Sequence, residues 1–170
     1  DDCARKCVTP GILATGRLSG TATMSSRRST GGASAMTNIP KSIHFIWLGG
    51  APLPDYASAN IAKCRELHPD FRIDVWSEDR LDFDARFPKA ACQLRQWSRA
   101  SNYFRMQILE RYGGIYLDVD METIRPLDPL LCDAAFLGFQ LPNFGPSCIN
   151  GAIIGSQPGQ VASVIPTEVN

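Results

Sequence analysis

A chain of 170 residues with 44% hydrophobic and 20% charged side chains has the composition of one globular domain, not of a disordered or collagenous polypeptide. Its 17 basic and 17 acidic residues cancel, which excludes a global positive field of the kind that gathers nucleic acid or an anionic membrane over the whole surface. No apolar run approaches the roughly 20 residues needed to cross a bilayer, and the six cysteines lack the C-x-x-C pairs of a structural zinc site.

The balance conceals an asymmetry. Arg5, Lys6, Arg17, Arg27 and Arg28 meet only Asp1 and Asp2 within residues 1–38, so the remaining body is mildly acidic. This front segment is rich in Ser, Thr and Gly, has no sustained apolar period, and cannot bury enough surface to offset the entropy of ordering it. A disordered or non-native leader is expected over 1–38, with Met36 as the natural start and a folded body over 39–170. With no anchor visible, a cytoplasmic location is expected. Cys64, Cys92, Cys132 and Cys148 sit among apolar neighbours, as reduced core cysteines do.

"SIHFIWLG", Ser42 to Gly49, reads as a buried strand stopped by Gly49 and Gly50. From Asp55, the positions Tyr56, Ala59, Cys64 and Leu67 suit the apolar face of a helix that Pro69 terminates. "FRIDVW", Phe71 to Trp76, alternates as a half-buried strand does. Residues 77–97 are charged and show no clear period. Ser98 is then placed to cap a helix running to Tyr112, with Ala100, Phe104, Ile108 and Tyr112 on one face and Gly113 at its end. Strands "IYLDV", "AFLGF" and "CINGAIIG" follow. Strands alternating with helices predict an α/β domain with a largely parallel sheet and room for late antiparallel strands. Ligands of such sheets lie beyond the carboxyl ends of the strands, where "LDVD" falls.

A lone Asp-x-Asp is a weak signal, since a chain of this length carries one by chance about four times in ten. Asp82 and Asp84 supply an internal control: no apolar strand precedes them and arginines flank them, so they read as solvated surface. Asp118 and Asp120 instead follow "GGIYL", where the glycines permit close backbone approach and the strand holds both carboxylates on one side, with Glu122 continuing the row. Like charges so placed need water or a cation between them. Mg²⁺ or Mn²⁺ suits such oxygen donors and keeps positions open for substrate phosphates. Taken alone, the pattern is equally a metal site and an acidic strand end. On the preceding helix, Asn102 and Arg105 share a face distinct from the apolar stripe. Arg105 could hold phosphate or sugar oxygens, or pair with one of the aspartates.

With these residues in view, the chain resembles the glycosyltransferases whose sugar-binding region contains a DxD motif, glycosyltransferase family 32. That family includes the yeast initiating α-1,6-mannosyltransferase and bacterial capsular polysaccharide enzymes, and is distantly similar to the clostridial glucosylating toxins. The resemblance covers roughly residues 39 to 157, through "IPKSIHFIWLGG", "ASNYFRMQILERYGGIYLDVDM" and "INGAIIGSQP". It implies a Rossmann-like, GT-A-type nucleotide-sugar-binding domain with a mostly parallel central sheet. Asp118 and Asp120 would hold Mn²⁺ or Mg²⁺ at the donor diphosphate, and Arg105 would stabilise the charge that develops there. Trp47 is similar to the aromatic on which the donor base stacks, with plain strand packing as its alternative. Tyr116 resembles a sugar-region tyrosine, and Asn150 falls where the family carries a polar residue near the transferred sugar; plain packing and turn chemistry before Gly151 are the alternatives for these two. His44, on an apolar strand, reads as a hydrogen-bonded core histidine.

Two departures are visible. The helix motif in this family usually reads Ala-Ser-Asp, whereas this chain has "ASN" with Asn102 at the last position. Exchanging a charged for a neutral hydrogen bond costs about 1 kcal/mol, a few-fold in donor affinity. Relatives also continue into a segment that closes over the diphosphate, so a C-terminally short domain is expected. The implied reaction moves a hexosyl group, with retention, from a UDP- or GDP-sugar to a hydroxyl of a glycan, lipid-linked or protein acceptor. The alternative is a non-catalytic nucleotide-sugar-binding remnant. A nucleotidyltransferase would need a Gly- and Lys-bearing phosphate loop, which the sequence does not show.

Overall fold

In the computed structural model, which describes residues 38–82, 86–140 and 148–161, strand β1 (Ser42–Ile46) occupies the middle of the molecule and is buried at every position. That burial is why its sequence reads as a continuous apolar run and not as an alternation. Helix α1 (Asp55–Leu67) crosses to β2 (Arg72–Trp76), which pairs with β1 in parallel. The ambiguous stretch after β2 holds a short 3-10 turn at Glu78–Arg80 and helix α2 (Arg86–Gln93), followed by α3 (Trp97–Tyr112). Strands β3 (Gly114–Leu117), β4 (Ala135–Gln140) and β5 (Cys148–Ser156) complete the sheet.

The strand order is β2-β1-β3-β5-β4. β1 is parallel to both β2 and β3, while β5 is antiparallel to β3 and to β4. Four strands therefore run one way and β5 alone runs back, a mixed and mostly parallel sheet as the sequence predicts.

Side-chain parity divides the core. Ile43 and Phe45 of β1 and Ile115 and Leu117 of β3 face α1, meeting Ile61 and Cys64. Ile46 and Tyr116 face the other way, toward Ala100, Phe104, Ile108 and Leu109 of α3. Helices on both faces give the three-layer arrangement that a parallel sheet requires. The buried stripe of α1 is Ala57, Ile61 and Cys64, not the one beginning at Tyr56, which is 55% exposed. Tyr56 stands one residue from the stripe, and an aromatic at a helix start is not by itself evidence of burial.

Helix α3 starts one residue before Ser98 and has no side-chain cap; the Gln96 carbonyl accepts from the Arg99 and Ala100 N–H groups instead. Its end is as expected: Gly113 takes φ +62° and donates to the Leu109 carbonyl at 2.8 Å. Gly114 follows at φ +99°, and a Cβ there would lie 2.3 Å from the Ser42 Oγ and 2.7 Å from the Ser42 carbonyl oxygen. The glycine pair thus lets the backbone leave α3 and enter the sheet against β1. Cys64 is buried, Cys92 half-buried and Cys132 exposed, so Cys132 departs from the core role expected of it. The expected leader over 1–38 lies, but for Asn38, outside the described residues, as does Asp84 of the control pair.

Candidate active site

Strand β3 delivers Asp118 at its carboxyl end, and the chain turns at once, so that Asp118 and Asp120 sit in a turn and not along the strand. The Asp118 N–H donates to the Ala152 carbonyl at 2.9 Å and its own carbonyl accepts from Met121, which fixes the turn against β5. Glu122 does not continue the row. It is exposed and pairs with Lys63 of α1, because the turn after Asp120 has swung the chain away from the sheet end.

Asp118 is held by two neighbours. The Tyr116 hydroxyl donates to its Oδ1 at 2.6 Å, and the Arg105 Nη2 lies 3.3 Å from the same oxygen. Tyr116 is almost fully buried, and that burial, with the Asp118 charge beside it, pushes the phenol far above its ordinary range and keeps it a donor. The Arg105 guanidinium stacks over the Tyr116 ring at 4.4 Å and donates through Nη1 to the Gly151 carbonyl. Its Nε is buried without a partner.

The Gly151 carbonyl reaches Arg105 because β5 is irregular there. Leu137 of β4 pairs with Ile154 but Gly138 with Asn150, so residues 151–153 bulge out of the β4 ladder, while Ile153 keeps its pairing with Leu117 of β3. A Cβ on Gly151 would stand 2.9 Å from the Arg105 Nη1, so a side chain there would displace the guanidinium. Asn150 accepts from the Ala152 N–H through Oδ1 at 2.9 Å, the turn chemistry that the sequence allows, while also bordering the cleft.

The cleft itself is about 650 Å³ and lies at the carboxyl ends of β1 and β3. Trp47, Asn102, Arg105, Tyr116, Asp118, Asp120 and Asn150, singled out from four separate stretches of sequence, all line it. Trp47 is half-buried, with its indole N–H donating to the Ala51 carbonyl at 2.7 Å, so one edge of the ring is tied down. Asn102 is exposed on the α3 wall. The sequence did not point to Tyr56, Trp97, Ser101 or Met106, which also border the cleft. Trp97 was the most findable of these: it covers Gly49, its indole 3.2 Å from where a Cβ would stand, and it opens the helix that carries Asn102 and Arg105.

His44 is fully buried and belongs to the core, as expected. Its Nε2 faces the Gly113 carbonyl at 3.0 Å and its Nδ1 accepts from the Trp76 indole at 3.2 Å, which together assign the proton to Nε2. Burial lowers its pKa below the ordinary imidazole value.

Among the described residues no group of three or more His, Cys, Asp or Glu side chains gathers. The site offers two carboxylates to a cation, one of them with Oδ1 already committed. This donor set fits Mg²⁺ or Mn²⁺, which bind through one or two carboxylates and complete their shell with substrate oxygens, and does not fit an all-protein Zn²⁺ or Ca²⁺ cage.

Residues 54–137 match the family described as the glycosyltransferase sugar-binding region containing a DXD motif. An uncharacterized glycosyltransferase of Acanthamoeba polyphaga mimivirus is 28% identical over 71% of the chain and 51% of its own length. Inositol phosphoceramide mannosyltransferase 3 of Schizosaccharomyces pombe is 32% identical over 71% of the chain and 34% of its own length. The mannosyl phosphorylinositol ceramide synthase CSH1 of Saccharomyces cerevisiae is 31% identical over 71% and 32%. The chain thus spans a third to a half of the length of the curated relatives it matches. In fold it is similar to the PaToxG glycosyltransferase, with a TM-score of 0.57 over 72% of this chain and 56% of that one at 15% identity. The stretch carrying α1, α3 and the paired aspartates therefore belongs to the glycosyltransferase sugar-binding region that contains a DXD motif.

Proposed function

We propose that the cleft binds a UDP- or GDP-sugar with a divalent ion and transfers its hexosyl group, with retention, to an acceptor hydroxyl. The names of the yeast relatives support a mannosyl donor and a lipid acceptor bearing an inositol group. The observation that carries the reading is the convergence of Asp118, Asp120, Arg105 and Trp47 on one cleft at the sheet's carboxyl end.

Asp118 and Asp120 would hold Mn²⁺ or Mg²⁺, which when bound neutralises charge as the diphosphate departs. Tyr116 and Arg105 orient the Asp118 carboxylate, with Oδ1 occupied and Oδ2 left for the ion. The buried guanidinium places positive charge beside the diphosphate without reorganising during the reaction. Trp47 offers a ring face to the donor base, worth about 1–3 kcal/mol. Among the described residues Asp118 and Asp120 are the only carboxylates lining the cleft. Attack from the side on which the diphosphate leaves would retain configuration without a separate protein nucleophile.

Calorimetric titration with UDP and GDP, with and without Mn²⁺, tests the reading. Manganese-dependent binding is expected, reduced at least ten-fold in the Asp118→Asn/Asp120→Asn variant; uptake unchanged in that variant would overturn it. A second reading, a nucleotide-sugar binder without turnover, gives the same titration but no chemistry. Donor hydrolysis by the wild-type chain separates the two.

A further inference from the structure

The run from Arg86 to Leu109 contains five basic residues and no acidic one, in a chain that is neutral as a whole. Asp84 precedes the run by two positions and Glu110 follows it. Within it, bare apolar surface and unpaired charge coincide. Phe87, whose ring lies 5.9 Å from that of Tyr103, is still 53% exposed, and Leu94 is 69% exposed, the highest value among the described large hydrophobics. Phe87, Ala90 and Leu94, at i, i+3 and i+7, share one face of α2, and the Leu94 N–H still donates to the Ala90 carbonyl at 3.1 Å, so the helical geometry extends to it.

Around this face stand Lys89, Arg95 and Arg99. All three are exposed, and none forms an ion pair with another described residue. The corner has a fixed backbone: Arg95 takes φ +53°, its N–H donates to the Cys92 carbonyl, and the next N–H donates to the Ala91 carbonyl at 2.8 Å. Two residues further on, Trp97 and Ser98 already line the cleft.

A single exposed leucine needs no explanation. Two large apolar side chains on one helix face, ringed by unpaired cations with no acid among them, form the surface that inserts at the headgroup boundary of an anionic bilayer. An acidic protein partner would satisfy the charges but leave uncovered Leu94 and the part of the Phe87 ring that Tyr103 does not cover. We infer that the corner made by α2 and the start of α3 docks on an anionic lipid bilayer, with the cleft mouth beside it. A lipid-borne acceptor then reaches Asp118 and Asp120 from the membrane side. The docking stands on the surface alone; its use in acceptor delivery rests on the transferase reading.

The test is co-sedimentation of the 170-residue chain with phosphatidylcholine vesicles, with and without phosphatidylinositol. Binding is expected on the anionic vesicles only, weakening with added salt and falling about five-fold for each of Lys89→Gln and Arg99→Gln. Leu94→Ser should lower it on the same vesicles. All three side chains are exposed, so unchanged melting temperatures should show that the variants remain folded; Arg95→Asn, which tolerates the left-handed backbone, replaces any that does not. No binding, equal binding to neutral vesicles, or indifference to these substitutions would overturn the proposal. Concentration-dependent dimerisation abolished by Leu94→Ser would assign the face to a second copy and overturn it equally. UDP and GDP titration runs in parallel: loss of nucleotide binding in the wild type strikes the transferase reading and leaves the vesicle result standing.

Discussion

Tyr116 is where a single atom matters most. Its hydroxyl points one carboxylate oxygen of Asp118, and removing it frees that carboxylate to rotate while leaving the ring, and the guanidinium stacked on it, in place. Tyr116→Phe should therefore weaken manganese-dependent nucleotide binding about ten-fold, the worth of a hydrogen bond to a charged acceptor, with little change in melting temperature. Titration calorimetry beside a thermal melt checks both halves. At this scale the sequence was informative about Asp118, Asp120 and Arg105 because residue type and helical spacing are local properties. It misled on Glu122, whose partner Lys63 stands 59 positions away on another element, beyond the reach of any local pattern. Arg105 was left between anion ligand and aspartate partner. The geometry gives the ion pair with Asp118 and leaves the guanidinium edge Nε unsatisfied.

Among the elements, the junction of α3 and β3 is the most constrained. Gly114→Ala would force a Cβ into the Ser42 backbone at a backbone angle that L residues avoid, and should cost about 3 kcal/mol or more, read by denaturant unfolding. The same junction carries a pH dependence. His44 joins β1, β2 and the Gly113 carbonyl as a neutral imidazole, with Asp74 near it on β2 opposing the effect of burial and Arg72 and Arg80 adding to it. Unfolded, the ring titrates near its ordinary 6.5; folded, it titrates lower, so between the two values the unfolded chain takes up a proton that the native one refuses. The contribution is full above about 6.5 and is lost as pH falls through the folded value. Unfolding midpoints measured from pH 7 down to 5 should fall, and fall less in His44→Gln. The strands around this junction were legible because buried runs and terminal glycines announce themselves. Helix α2 was not, since it lies in a charged stretch without a period. The bulge at residues 151–153 was not either, because it is a register shift against β4, set by the partner strand and not by local pattern.

For the molecule as a whole, the layered α/β architecture followed from the alternation of strands and helices, while the reversed β5 was left open because strand direction is set by pairing partners and not by composition. The match of seven residues to one cleft gives the fold a thermodynamic handle. A nucleotide with Mn²⁺ at about a hundred times its dissociation constant should add roughly 2.7 kcal/mol to stability and raise the melting temperature by roughly 5–10 °C, with chelation abolishing the gain. Scanning calorimetry with UDP and GDP, each with Mn²⁺ and with chelator, checks this.

The reversed β5 also bears on the order of events during folding. The Gly151 carbonyl that holds Arg105 and the Ala152 carbonyl that anchors the aspartate turn both come from that strand, the last described segment to join the sheet along the chain. Until its long-range pairing with β3 is made, the arginine and the first aspartate have no fixed positions, and loop-closure entropy delays such pairing. Recognition competence is thus a terminal acquisition on the folding route, and a ligand held there acts as a brake on unfolding more than as a spur to folding.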